Sequence, residues 1–474
     1  MKALATVSAD EIKTDVYFIA SDDLAGRDTP SEGLKVAARF LRSRLERLGW
    51  KPGAKEGYFH EYPLEHKVLD ETASRIDWTV GGDAQKAAGG SLRLGTDYFL
   101  TSPFDVTELS ASAPVVFAGD GSKSDLESAK VEGKWALVFD DGAEVREVSR
   151  AARRAKAKGV IVTPAPHYTG EDYAQRFAPT LERLRKGSIA WPAKPSTKDK
   201  DDEAERAPRE PFPTVLMTRT AVESLLSAVQ KPAVPAKGAE LGFALTETRK
   251  LAGDGGKIQV ENVCGFWPGS DPELSKECII LSAHYDHVGT NSKGEIHNGA
   301  DDNGSGTSLM LAVAEALSEY GPLKRSVMII WVSGEEKGLW GSKAFSENPW
   351  FPEGVRPVAN INIDMVGRNG PEKLLVTPTN DRPKDYNDLV RIAEKLAPLE
   401  GFPKLESADK YYERSDHYMF AKLGIPVMFL FSDVHEDYHQ PGDDPEKLDY
   451  DKIQRVTRLV LRILDGLEDK RTLH

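Results

Sequence analysis

The sequence predicts an α/β protein built on a mostly parallel mixed sheet with helices on both faces, with a separate α+β unit inserted. Three observations predict it. From Lys257 onward, apolar strands alternate with helical segments, as in a sheet covered on both faces. Four of those strands end in His, Asp or Glu. Between roughly Arg75 and Ala236 the texture changes to short strands and glycine-containing turns, with no clustering of His with carboxylates.

Taken in order, residues 8–49 read as helical. SADEIKTDVYFIA starts on a capping Ser8, and EGLKVAARFLRSRLERLGW is amphipathic and stops at Gly49. The turn-rich DDLAGRDTP links them. The next stretch carries the strands APVVFAG, KWALVFDD and VIVTP, with a basic helix around AARRAKAKG. Within it, 193–213 is dense in charge and proline and reads as a solvated surface loop, with a lid or partner-binding arm as the alternative. Beyond Lys257, strands are expected at IQVENVCGFW, ECIILSA, SVMIIWVS, VANINID, KLLVTP and IPVMFLF. Helices are expected at 305–320, 338–347, 384–397, 415–423 and 447–468.

A chain of 474 residues is too long for one ordinary domain and calls for two or three units. With 62 basic against 75 acidic side chains, net −13, it lacks the basic balance of a nucleic-acid or anionic-membrane surface. No run reaches the length of a membrane span. MKALATVSADE has too short an apolar core for a signal peptide, so the chain is either cytoplasmic or a mature form with a start Met added. Cys264 and Cys278 form no CxxC pair and read as two buried thiols. They also flank an expected hairpin turn, PGSDPELSKE, so a cross-strand disulfide, which needs an oxidising compartment, is the alternative.

The chain is organised around IILSAHYDHVGTNSKGEIHNGADDNGSG, from Ile279 to Gly306. A buried strand ends in His284, Asp286 and His287, a loop follows to Asp301 and Asp302, and a helix begins near Ser305. Open α/β sheets hold their ligands at such strand ends. SVMIIWVS runs into Gly334-Glu335-Glu336, VANINID closes on Asp364, and IPVMFLF leads to Asp433, His435, Asp437 and His439. One polar strand end is ordinary turn chemistry; four of ligand type point to metal, and imidazole with carboxylate suits zinc. Asp301 or Asp302 could cap the following helix while the other binds. Glu335 and Glu336 can both reach one site only if the strand has broken into a turn, which Gly334 and Gly338 permit. His287, His297, His417 and His435 are individually ambiguous and are not assigned as ligands.

AHYDHVG, GADDNGSG, SGEEKGLWGS, NIDMVG, RSDHYMF and HEDYHQPGDD, in that order, resemble the zinc aminopeptidases of metallopeptidase family 28, whose relatives include glutamate carboxypeptidase II and glutaminyl cyclases. APVVFAGDG, VEGKWALVFDD and AKGVIVTP are similar to the protease-associated domain often inserted in these enzymes. The resemblance implies a zinc exopeptidase-like fold, with 1–74 as the N-terminal helical part of the catalytic domain, 75–250 as a protease-associated insert, and 251–474 as the dizinc peptidase domain. It implies His284 and Asp364 on one zinc, Glu336 and His439 on the other, and Asp302 bridging, with the Asp302–Asn303 peptide often cis in the family. Glu335 would be the general base, Asp286 would orient His284, and Tyr438 would contact the scissile carbonyl.

The function implied is hydrolysis of the N-terminal peptide bond of peptides through a water bridging two Zn2+ ions per chain. A carboxypeptidase or dipeptidase of the same superfamily is the alternative, with Arg368 and Arg414 near the motifs as possible carboxylate binders. The full ligand set disfavours a single-zinc glutaminyl cyclase. A reading of another class is a non-catalytic receptor or scaffold that uses the protease-associated module. The resemblance also implies an exported protein, secreted or periplasmic, against a cytoplasmic alternative.

Overall fold

The computed structural model describes residues 2–80, 88–101, 108–141, 145–170, 173–192, 212–252, 256–468, 470 and 473. The charged stretch at 193–213 lies outside them apart from its last two residues. The chain forms two compact units: Leu64–Ile258, and Met1–Pro63 joined with Gln259–His474. No helix among the described residues is long and apolar enough to cross a membrane.

The second of these carries the strands β1 (Lys257–Trp267), β2 (Glu277–His284), β3 (Ser326–Val332), β4 (Arg356–Ile363), β5 (Leu375–Thr377), β6 (Glu406–Ser407) and β7 (Val427–Phe431). Their order across the sheet is β6-β5-β7-β4-β2-β3-β1. The centre is parallel: β2 pairs with β3 and β4, and β4 pairs with β7. β1 and β5 add antiparallel to it, against β3 and β7.

Side-chain alternation divides the core. Ile279, Leu281 and Ala283 of β2, with Val327, Ile329 and Trp331 of β3, pack against helices α1 (Ala9–Ile19), α2 (Glu32–Arg47), α3 (Gly306–Tyr320) and α7 (Tyr450–Leu467). Cys278, Ile280, Met328, Ile330 and Val332 face the other way, onto Phe345 of α4 (Trp340–Glu347) and Phe420 of α6 (His417–Ala421). The remaining helix, α5 (Asp388–Leu396), packs on α7. Burying each such side chain is worth roughly 1.5–3 kcal/mol, and the sum supports the costly burial of charge at the strand ends. Ser8 and Ser31 cap α1 and α2, accepting the amides of Glu11 at 3.3 Å and Leu34 at 3.0 Å.

The hairpin expected between Cys264 and Cys278 does not form. β3 lies between β1 and β2, opposing Cys264 with Ile330 and Cys278 with Ser326. PGSDPELSKE therefore joins two strands that pair with a third and not with each other. Both cysteines are buried free thiols, as the apolar reading expects.

The Leu64–Ile258 unit has its own eight-stranded sheet, ordered Ala88–Leu92, Arg75–Val80, Glu240–Lys250, Glu108–Phe117, Trp135–Asp140, Gly159–Pro164, Thr214–Met217, Tyr98–Leu100. It has separate apolar clusters around Trp135, Leu137 and Val215 and around Val138, Val160 and Tyr173. Among the described residues, the His and carboxylate group fit to hold a metal lies in the other unit.

Candidate metal centre

Each strand end delivers one part of the site. His284 closes β2 on the face of Cys278 and Ile280. Its Nε2 lies 3.3 Å from Asp302 Oδ1 and 3.3 Å from Asp364 Oδ1. On the far side of Asp302, Oδ2 is 3.2 Å from His439 Nε2, which is itself 2.9 Å from Glu336 Oε2. Two sets of three ligand-type residues, His284-Asp302-Asp364 and Asp302-Glu336-His439, thus share the two oxygens of Asp302, and ligand atoms of His284, Asp302 and Glu336 all lie within 4.8 Å of one another.

Ligand atoms about 2.0–2.1 Å from a tetrahedral zinc stand roughly 3.3 Å apart, so these spacings fit a cation. Asp302 Oδ2, Glu336 Oε1 and His439 Nε2 are buried and complete no hydrogen bond among the described residues. Leaving such atoms unsatisfied costs free energy, and a divalent ion would satisfy all of them. Imidazole nitrogen with carboxylate oxygen suits zinc.

Glu335 and Glu336 reach one cavity because β3 has ended at Val332 and the chain turns at Gly334 (φ 69°) and Gly338 (φ 110°). The Glu335 carbonyl accepts the amides of Gly338 and Leu339, both at 2.9 Å. Asp302 precedes a cis peptide to Asn303. Neither Asp301 nor Asp302 caps α3: Asn303 stands closer and its Oδ1 accepts Gly306 N at 2.9 Å. Asp301 Oδ1 accepts Gly367 N at 2.7 Å instead.

Buried polar side chains hold these groups. Asn360 donates to Ser282 Oγ (2.9 Å), Ser282 to Asn362 Oδ1 (2.7 Å), Asn362 to Ser415 Oγ (2.9 Å), and Ser415 to Asp364 Oδ2 (2.9 Å). The serine protons are thereby committed, and Asp364 Oδ1 is left for a ligand. His284 Nδ1 is 3.2 Å from the main-chain oxygen of Asp286 and 3.7 Å from its carboxylate. That carboxylate accepts Glu335 N at 3.2 Å and the Thr29 hydroxyl at 3.1 Å, while Thr29 accepts Gly334 N at 3.0 Å. Asp443 accepts the amides of Asp301 (3.1 Å) and Asp302 (3.0 Å). Arg27, fully buried, donates to the carbonyls of Tyr285 (2.8 Å), Asn298 (2.8 Å), Gly299 (3.1 Å) and Ile19.

Burial pushes the Glu335 carboxyl well above the ordinary range, despite the attraction of His284. Burial likewise raises Asp286 to about 6 and Asp416 to about 7. It works against charge on His439, but contacts with Asp302 and Glu336 prevail and push that imidazole up to about 10. His284 is raised in the same way, mainly by Asp364 and Glu335 against burial. Asp302 is lowered by His284 and His439 in spite of its burial.

A cleft of about 450 Å³ opens onto these groups. Its walls include Met365, Phe429, Phe431 and Tyr438, with Arg414 also lining it. The Tyr438 ring stacks on His439, centroids 3.9 Å apart. Arg368, by contrast, is engaged with Asp437 at 3.0 Å. His417 is buried and stacks on Phe429 at 4.6 Å, and His435 faces Asp301 at 3.3 Å. Sequence reasoning passed over Thr29, Ser415 and Asp443, and left His287 unassigned. The last lies 2.9 Å from Glu336 through Nδ1.

Residues 262–464 match the model of peptidase family M28. The chain carries an M28 domain. The relatives similar to it include a probable leucine aminopeptidase of Arthroderma benhamiae, 31% identical over 200 residues, covering 40% of this chain and 54% of that one. Aminopeptidase YwaD of Bacillus subtilis is 26% identical over 361 residues, covering 74% and 66%. The chain thus spans about half to two thirds of the length of these curated relatives. Among solved structures, an aminopeptidase from Aneurinibacillus sp. strain AM-1 has the same fold, at TM-score 0.52 and 18% identity over 98% of this chain and 94% of that one. BSAP, a zinc aminopeptidase from Bacillus subtilis, superposes at TM-score 0.51 and 20% identity over 97% and 95%. The five ligand-type residues of the two sets all lie within the matched residues.

Proposed function

We propose that the chain is a metal-dependent aminopeptidase that binds two zinc ions and hydrolyses the N-terminal peptide bond of peptides. The observation that carries this reading is the pair of ligand sets sharing Asp302, with Glu335 lining the same cleft. His284, Asp302 and Asp364 hold one ion; Asp302, Glu336 and His439 hold the other. Zinc at these positions supplies Lewis acidity for the scissile carbonyl and lowers the pKa of water towards about 7.

The chain's own groups do the rest. Glu335 receives the proton of the attacking water at its carboxylate and returns it to the leaving amine. The high proton affinity that burial gives this carboxyl suits a group that must hold a proton between the two transfers. Asp286 fixes the Glu335 main chain and, with Thr29, the turn that carries it. The Tyr438 hydroxyl donates to the oxyanion that develops on the carbonyl. Met365, Phe429 and Phe431 form an apolar wall suited to an uncharged substrate side chain.

Arg414 in the cleft wall supports a second reading, a carboxypeptidase or dipeptidase that binds the substrate's terminal carboxylate. A substrate panel decides between them: free peptides should be cut and acetyl-blocked ones spared. Equal cleavage of blocked peptides would end the aminopeptidase reading. A receptor or scaffold would lack both zinc and chelator-sensitive hydrolysis. The Leu64–Ile258 unit is read as a protease-associated accessory module, supported by its parallel strands Glu108–Phe117, Trp135–Asp140 and Gly159–Pro164.

A further inference from the structure

His287 is fully buried, and neither ring nitrogen completes a hydrogen bond among the described residues. Its position is nevertheless specific. Nδ1 lies 2.9 Å from Glu336 Oε1 and 3.8 Å from Asp302 Oδ2, and the ring stands 5.6 Å, centroid to centroid, from that of His439. The Cγ–Cδ2 side of the ring is pressed against Gly299, where a Cβ would come within 2.5 Å of the His287 Cγ and 2.6 Å of its Cδ2. The residue at 299 thus has no side chain, and the ring is backed against it with Nδ1 towards the carboxylates.

The pattern around Nδ1 is informative. His287 Nδ1, Glu336 Oε1, Asp302 Oδ2 and His439 Nε2 are all buried and all without a completed hydrogen bond. Yet His287 Nδ1 stands 2.9 Å from Glu336 Oε1 and 3.8 Å from Asp302 Oδ2, and His439 Nε2 stands 3.2 Å from Asp302 Oδ2 and 2.9 Å from the other Glu336 oxygen, Oε2. Polar atoms at such distances that fail to bond one another are oriented towards a common point between them. That is the arrangement of ligands around a cation, in which lone pairs converge on the ion.

We infer that His287, through Nδ1, is a fourth protein ligand of the ion held by Asp302, Glu336 and His439. The inference rests on the metal reading above and gives the two ions unequal shells. The His284 ion has three protein ligands and the His287 ion has four. Three protein ligands leave a position open for water and substrate; four approach the closed shell of a structural zinc site. The ion beside His287 is therefore the tighter one, and the ion beside His284 is the first to leave under a chelator.

X-ray absorption at the zinc edge on the fully loaded wild-type protein counts imidazoles directly. Three per two zinc ions are expected, and two would overturn the inference. Zinc titration against a competing chelator gives the second readout. His287→Phe keeps the ring volume against Gly299 and should weaken the tighter binding step by at least about 10–100-fold, the range seen on removing groups around a metal, with the weaker step little changed. Unaltered affinities in that variant, or an equal loss at both steps, would overturn the assignment. Neither readout involves catalysis. A protein that loads two ions on three imidazoles but cleaves no peptide would end the proposed function and leave His287 a ligand. An active peptidase with two imidazoles would do the reverse.

Discussion

His439 Nε2 lies 2.9 Å from Glu336 Oε2, although one residue comes from the loop after β7 and the other from the turn after β3. The parallel centre of the sheet, ordered β7-β4-β2-β3, brings those two ends together. A ligand pair made this way depends on both partners, so His439→Ala should weaken zinc binding at that site. Metal analysis after dialysis against a chelator should give less zinc per chain for the variant than for wild-type protein treated alike. An unchanged stoichiometry would remove His439 from the ligand set.

Glu335 is the neighbour of a proposed ligand without belonging to either set. Glu335→Gln preserves its size and its main-chain contact with Asp286 while removing the proton acceptor. The variant should keep its zinc and lose turnover by about 10²–10⁴-fold, the usual contribution of a general base. Steady-state kcat beside zinc content checks this, and near-native kcat would show that another group takes the proton.

Much of this was legible in the residues. Apolar runs such as IILSA and VMIIWV read as strands buried on both faces, and their ends announce the site because ligand-type side chains recur there. Capping serines at Ser8 and Ser31 mark α1 and α2 for the same kind of local reason. The misses are of non-local origin. Strand order is not written in the chain, so the turn before Cys278 looked like a hairpin when β3 in fact lies between its strands. Thr29 meets Asp286 and Ser415 meets Asp364 only after folding, and a lone hydroxyl carries no periodicity to betray it. His287 was left unassigned as one of several individually ambiguous histidines, and only the fold brings its ring to Glu336. The GADDN run offered two carboxylates as caps, and the cap proved to be Asn303.

The Thr29 hydroxyl accepts from Gly334 N and must give its single proton to Asp286. Thr29→Val retains the shape and removes both bonds. We expect kcat to fall by about 10-fold or more, within the range for groups that orient a metal site, with KM little changed. Thr29→Ser should restore most of it. If valine and serine behave alike, the hydroxyl does not position the turn.

In the zinc-stripped protein, His439 carries its proton up to about pH 10, against an ordinary value near 6.5. A folded-state value above the unfolded one contributes stability that is fully present below about pH 6.5 and lost as pH rises through about 10. Glu335 and Asp286, also raised, act in the same direction at their own pH. The Tm of stripped protein should therefore fall between pH 6.5 and 10, and the decline should be shallower in His439→Ala. Zinc loading replaces the proton, so the loaded protein should show less of this slope. A Tm of stripped protein that rises across that interval would contradict the coupling of His439 to Asp302 and Glu336.

The most direct measurement is anomalous diffraction at the zinc edge from crystals of the loaded protein. The account predicts two peaks, one enclosed by His284, Asp302 and Asp364 and the other by Asp302, Glu336 and His439. A single peak, or peaks away from Asp302, would contradict it.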